Sequence, residues 1–189
     1  MVNKWSQIPK QRPLVVQRYI AKPHLINGTK YDLRIYVLMT SLCPLRIYLY
    51  EEGLVRFASN KYTADSAQLS DVYMHLTNYS INENSDSYRP NEDSEKREGH
   101  KWTLSSLWQY FSENGIDQKP VWDRIKDLVI KTIISAEHSM LPLNRSNLNS
   151  QYCGYELFGF DVLLDSDLKP WLIEVSAHSM NDYPRLIAF

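Results

Sequence analysis

The sequence predicts an α+β domain built on a mainly antiparallel sheet with packed helices. Three observations carry this: β-patterned segments fill the first 60 residues, two amphipathic helices follow, and a second apolar hairpin comes near the end. The order strands, helices, strands sets the class. In chain order, "LVVQRYI" (14–20) reads as an apolar strand. "KYDLRIYV" (30–37) splits at period two, with Lys30, Asp32, Arg34 and Tyr36 on one side and Tyr31, Leu33, Ile35 and Val37 on the other. "LRIYLYEEGLVRFAS" reads as a hairpin turning at Glu51-Glu52-Gly53. "SINENSDSYRPNEDSEKREGH" (80–100) is poor in apolar residues and rich in turn formers, so a mobile surface loop is expected there.

Thr103 is placed to cap the next helix, in which Leu104, Leu107, Trp108 and Phe111 recur at helical spacing and Gly115 follows the end. Pro120 opens the second, whose stripe is Val121, Trp122, Ile125, Leu128, Val129, Ile133 and Ala136. "LPLNRSNLNSQ" (141–151) reads as a loop. "ELFGFDVLL" and "PWLIEVS" form the closing hairpin. With its loop at Ser166–Lys169, Asp165 faces Pro170, and Asp161 faces Glu174. Parity then puts Asp161, Glu174 and Ser176 on one face, and Phe160, Val162, Leu164, Trp171, Ile173 and Val175 on the other.

The chain has 189 residues and a net charge of -1, which gives no global field for nucleic acid. Its two cysteines, Cys43 and Cys153, have no paired spacing, which fits a reducing compartment and excludes a disulfide scaffold or zinc ribbon. Each reads as a small buried hydrophobe. No apolar run approaches the ~20 residues of a membrane helix, and the first residues hold no signal-peptide core.

Two readings of the charged side of 30–37 stand open: a solvated sheet face, or the wall of a site for phosphate and carboxylate. Two facing acids on apolar strands repel and need a cation between them. Oxygen ligands without His or Cys suit Mg²⁺, which takes one or two carboxylates plus substrate phosphates. Two solvent-facing acids are the bland alternative. Lys30 and Arg34 could meet phosphate charge, and Asp32 a ribose or amine. His75, Thr77 and Asn78 of "MHLTNYS" add short polar groups. Arg56 and Lys101 read alone as solvated surface charges.

Together, "VVQRYI", "KYDLRIYV", "GLVRFA", "MHLTNYS", "GHKW", "ELFGFDVLLD" and "KPWLIEV" resemble the tubulin tyrosine ligase-like family, most closely its polyglutamylase branch. The resemblance implies an ATP-grasp fold, here its central and C-terminal part, as a partial domain over 1–189. It implies an ATP- and Mg²⁺-dependent ligase that adds free L-glutamate to glutamate side chains of tubulin tails through an acyl phosphate. It also implies a cytoplasmic, microtubule-associated setting, cilium or basal body included, with no nucleic-acid or membrane partner.

Residue by residue, the resemblance gives Gln17, Arg18, Tyr19 and Ile20 to the adenine pocket and Lys30, Tyr31, Asp32, Thr77 and Asn78 to the nucleotide. Asp161 and Glu174 hold Mg²⁺, and Arg34 handles phosphate or acyl phosphate. Arg56, Tyr79, Ser80 and Lys101 receive glutamate. Ser176 stands where the family has a metal-binding Asn, and 176–189 departs from the family as a divergent tail. The family's upstream nucleotide-binding Lys and Gly-rich loop have no counterpart in the sequence, so the isolated chain is expected to be inactive. The competing reading is an inactive paralogue that binds tubulin or a partner.

Overall fold

The computed structural model describes residues 6, 8, 9, 11, 14–65, 68–91, 93, 96–147 and 154–177. Its strands are β1 (Leu25–Ile26), β2 (Thr29–Leu42), β3 (Leu45–Phe57), β4 (Lys101–Thr103), β5 (Glu156–Leu164) and β6 (Pro170–Ala177). They form one antiparallel sheet in the order β4-β3-β2-β5-β6, with β1 folded onto the start of β2. The helices are α1 (Val72–His75), α2 (Tyr79–Asn82), α3 (Leu104–Glu113) and α4 (Gln118–Asn147). The α+β class and the mainly antiparallel sheet are as expected.

The period-two pattern of β2 decides how the layers stack. Tyr31, Leu33, Ile35, Val37 and Met39 are buried on one face with Val55, Phe160, Val162 and Leu164. Leu104, Leu107 and Phe111 of α3 and Val121, Ile125, Val129 and Ile133 of α4 close that core. The Thr103 hydroxyl accepts from the Ser106 N–H at 3.1 Å and caps α3, and Gly115 follows with φ +70°. Trp122 and Leu128 are half-buried, and Ala136, expected in the stripe, is exposed. All of this leaves the opposite sheet face to the Lys30–Asp32–Arg34 row.

Several expectations are corrected. Residues 14–20, expected to be a strand, belong to no strand among the described residues. The hairpin turn lies at Cys43-Pro44, not at Glu51-Gly53, and Cys43 is exposed there, while Cys153 lies outside the described residues. Leu45–Phe57 is one strand with a bulge, where Tyr50–Glu52 oppose Tyr36 alone. The bulge carries Glu52 to the start of α3, where its Oε1 accepts from the Ser105 N–H at 3.0 Å. Helix α4 continues through 141–147, expected to be a loop. Pro142 inside it removes one N–H, the one that would have met the His138 carbonyl.

The closing hairpin turns over Asp165–Lys169, so Leu164 rather than Asp165 faces Pro170. A bulge at Ile173 restores Asp161 opposite Glu174. It also moves Trp171 and Ile173 off the core face, and Trp171, Ile173 and Val175 are 39%, 39% and 38% exposed rather than packed. The stretch 80–100, expected to be a mobile loop, is pinned at both ends. Asn82 is buried, accepting from Ser59 N–H at 2.8 Å and donating to the Leu76 carbonyl at 2.8 Å. Tyr88 stacks on His100 at 5.4 Å between centroids. Ser176 and Ala177 belong to β6, and the rest of the expected tail lies outside the described residues. No helix among the described residues is long and apolar enough to cross a membrane.

Candidate functional site

Two rungs of charge cross the polar face of the sheet. In the first, Lys101 of β4 faces Arg56 of β3, which faces Asp32 of β2. In the second, Arg34 of β2 faces Asp161 of β5, which faces Glu174 of β6. The register therefore puts two like-charge neighbours at the outer ends, cations at one and acids at the other, with opposite charges paired in the middle. Arg34 Nε donates to Asp161 Oδ1 at 2.6 Å, and Arg56 Nη2 donates to Asp161 Oδ2 at 2.8 Å. Arg56 Nε donates to Asp32 Oδ1 at 2.9 Å, and Arg56 Nη2 also bonds Asp32 Oδ2. The side chains of Asp32 and Asp161 are 7% and 5% exposed.

Burial drives the Asp32 pKa up, and the hydrogen bond and charge of Arg56 pull against it. Burial opposes the Arg56 charge as well, but its bonds and attraction to Asp32, then Asp161, more than offset this and hold its pKa above the usual value. The cation expected between Asp161 and Glu174 is met differently here: two guanidinium groups already neutralise Asp161, and Glu174 is exposed. The Ser176 hydroxyl points to the Gly159 carbonyl at 3.4 Å. No group of three or more His, Cys, Asp or Glu poised for a metal occurs among the described residues.

The cationic end opens into a cavity of about 200 Å³ lined by Arg34, Arg56, Lys101, Thr77 and Tyr79. Sequence reasoning named all five. It missed Tyr36, Asn82, Tyr88 and His100, which line the same cavity. Ser80, named with them, is exposed on α2 and does not line it. Asn78 is the N-cap of α2, and its carbonyl accepts from Asn82. Thr77 is hydrogen-bonded to Asp32.

A second groove, about 420 Å³, is walled by Gln17, Arg18, Tyr19 and Ile20 and floored by Lys30, Leu163 and Ile173. The first five were expected together, and the bulge explains why Ile173 joins them. Tyr31, also expected, is turned away: its side chain is 1% exposed in the core, and its hydroxyl bonds His24 Nδ1 at 2.8 Å. His75 is a structural link. Its Nδ1 meets the Tyr19 hydroxyl at 2.9 Å, and its Nε2 meets the Gln68 carbonyl at 3.1 Å.

Lys30 Nζ donates to the His75 carbonyl at 2.7 Å and lies 4.9 Å from the Tyr19 ring centre. Burial lowers its pKa from 10.5 to about 8, against the pull of Asp32. Between these two values the unfolded chain holds a proton that the folded chain has released, so stability rises with pH across that window. Below about 8 the full cost of the buried charge remains. Replacing Lys30 by Met should flatten this slope, read from urea unfolding at several pH values. An unchanged slope would mean Lys30 keeps an ordinary pKa.

The antiparallel sheet thus collects two basic side chains at one end of its polar face and two carboxylates at the other. The chain matches the tubulin-tyrosine ligase family over residues 1–186 and belongs to it. It is 53% identical over 176 residues to the tubulin monoglutamylase TTLL4 of Mus musculus, covering 93% of this chain and 15% of that protein. It is 48% identical over 176 residues to the tubulin polyglutamylase ttll-5 of Caenorhabditis elegans (92% and 24%). To the human tubulin polyglutamylase TTLL5 it is 44% identical over 177 residues (93% and 14%). The chain thus spans roughly a seventh to a quarter of the length of these relatives.

Proposed function

We propose that this chain carries part of the site of an ATP-dependent glutamate ligase with an ATP-grasp core, acting on glutamate side chains of tubulin tails. The observation that carries this reading is the pair of charge rungs. Their cationic end faces a cavity sized for an amino acid, and their acidic end offers oxygen ligands. Both stand beside a groove holding a buried lysine. The names of the relatives, tubulin monoglutamylase and polyglutamylase, support the class of reaction and tubulin as the acceptor, and a microtubule setting is proposed with them.

In the reaction, an acceptor carboxylate oxygen attacks the γ-phosphorus of ATP and ADP leaves. The amine of glutamate then attacks the acyl carbon, phosphate departs with its bonding electrons, and the amine proton passes to solvent. Arg34 offers its guanidinium to developing phosphate charge, and Arg56 and Lys101 hold the incoming glutamate. Gln17–Ile20 and Lys30 seat the nucleotide, with Thr77 and Asn78 nearby. Asp161 and Glu174 supply the oxygen donors that suit Mg²⁺ and would hold it, with Ser176 at the edge, and Asp161 would have to exchange its Arg34 and Arg56 contacts to do so. Bound there, the ion would neutralise phosphate charge.

Arg56→Ala should weaken glutamate binding about tenfold to a hundredfold, since charged hydrogen bonds contribute about 1.5–3 kcal/mol. ATP binding should change little. Calorimetric titration of each ligand checks both, and an equal loss of ATP affinity would move Arg56 to the nucleotide. One observation favours a binding-only role instead: the Ser176 hydroxyl is turned to a backbone carbonyl. Ser176→Asn raising Mg²⁺ affinity would support that alternative for the natural sequence.

A further inference from the structure

We propose that Tyr88 and His100 form an aromatic wall that fits the amino-acid cavity to a dicarboxylate with a methylene chain between its charged ends, and so select glutamate over shorter acids. This rests on reading that cavity as the glutamate site. Arg34, Arg56 and Lys101 line it with positive charge. Such groups recognise a carboxylate and not the chain behind it. Tyr79, Tyr88 and His100 bring rings to the same space. A ring face covers CH₂ groups, and each methylene buried is worth about fourfold in affinity. Glutamate carries one methylene more than aspartate, so the wall favours it by about that factor.

The rings are held as one surface. Tyr88 stacks on His100 with planes 27° apart, and the Tyr79 ring meets Tyr88 edge-on at 5.9 Å between centroids. His100 Nδ1 accepts from the Arg89 N–H at 2.9 Å, and the ring also bonds the backbone of Ser59. The His100 N–H donates to the Arg89 carbonyl at 2.9 Å. Two bonds therefore join His100 to the residue after Tyr88, and the stack is fixed from the backbone. Gly99 permits this approach. Its φ is +69°, and a Cβ there would lie 2.6 Å from the Arg89 carbonyl oxygen. Lys101 follows His100 directly at the start of β4, so one short segment sets both a ring of the wall and a carboxylate anchor.

The test is calorimetric titration of the full chain with glutamate, aspartate and ATP in turn. The wild-type chain should prefer glutamate to aspartate by about fourfold or more. Tyr88→Ala should weaken glutamate about tenfold and aspartate less, so that the preference shrinks toward parity, with ATP kept within about twofold. Tyr88→Phe keeps the ring and should keep both affinity and preference. His100→Asn puts an acceptor where Nδ1 stood, so the Arg89 N–H stays bonded while the ring is lost. It should repeat the Tyr88→Ala result, and it serves if that variant does not fold. Glutamate binding that needs Arg56 but shows no preference over aspartate, or keeps it in Tyr88→Ala and His100→Asn, would overturn this inference alone. Equal losses of glutamate, aspartate and ATP would make the rings structural and also overturn it. No glutamate binding by the wild-type chain, or binding indifferent to Arg56→Ala, would overturn the reading of the cavity and this inference with it.

Discussion

Asp161→Ala is expected to destabilise the fold as well as remove a proposed metal ligand. Two facing acids repel, and on that ground alone losing one should relax the sheet. The structure reverses the sign, because Asp161 neutralises both Arg34 and Arg56, whose side chains are only 18% and 12% exposed. Breaking a buried pair from one side costs about 3–5 kcal/mol, and the water these arginines retain favours the lower end. A loss of about 3 kcal/mol corresponds to a Tm lower by roughly 6–12 °C at this chain length. Glu174→Ala, at an exposed position, should leave Tm near the wild-type value while weakening Mg²⁺ binding. Thermal unfolding and Mg²⁺ titration of both variants separate the roles. Equal Tm values for the two would mean that the arginines find other partners and the charge rungs are not structural.

Gly53→Ala should be the most damaging single methyl on β3. A Cβ at Gly53 would lie 2.6 Å from the Arg34 carbonyl oxygen, a backbone atom held in the middle of the sheet. Relief requires β3 to move away from β2, carrying Arg56, three residues on, out of register with Asp32. Overpacking of this kind costs about 3 kcal/mol. Gly115→Ala is the control. Its added Cβ meets nothing within 4 Å, so only its φ of +70° opposes the change, and the left-handed cost is about 1–2 kcal/mol. Urea unfolding of both should rank Gly53→Ala as the weaker protein. The reverse order would show that the bulge at Tyr50–Glu52 absorbs the strain.

Much of this was legible in the sequence because local period and tertiary burial agree. The alternation of Lys30–Val37 and the stripe from Val121 to Ile133 each state their buried side without help. Register is different. The turn at Cys43-Pro44 competes in the sequence with the stronger glycine signal at Gly53, which turns out to serve a close backbone approach. Asn27 and Gly28, both at positive φ (50° and 72°), make the tight turn between β1 and β2, a signal present in the sequence but absent from the expectations.

At the site, residue types grouped several side chains that the structure brings together, but their partners did not follow from them. Asp32 meets Arg56 across 24 positions of chain and Arg34 meets Asp161 across 127, and only strand pairing decides such contacts. Asn82, Tyr88 and His100 sit in a stretch whose composition reads as solvent-exposed loop, and their inclusion depends on Asn82 finding Ser59. Tyr31 shows the opposite error. Its motif neighbour Lys30 lines the second groove, while its own parity sends Tyr31 into the core.

The parity of β2 also divides how this stretch can change over generations. Lys30, Asp32, Arg34 and Tyr36 lie on the polar face of the sheet, and Tyr31, Leu33, Ile35 and Val37 are buried in the core. Drift in what the protein recognises can accumulate in alternate codons while the intervening ones stay under purifying selection for packing.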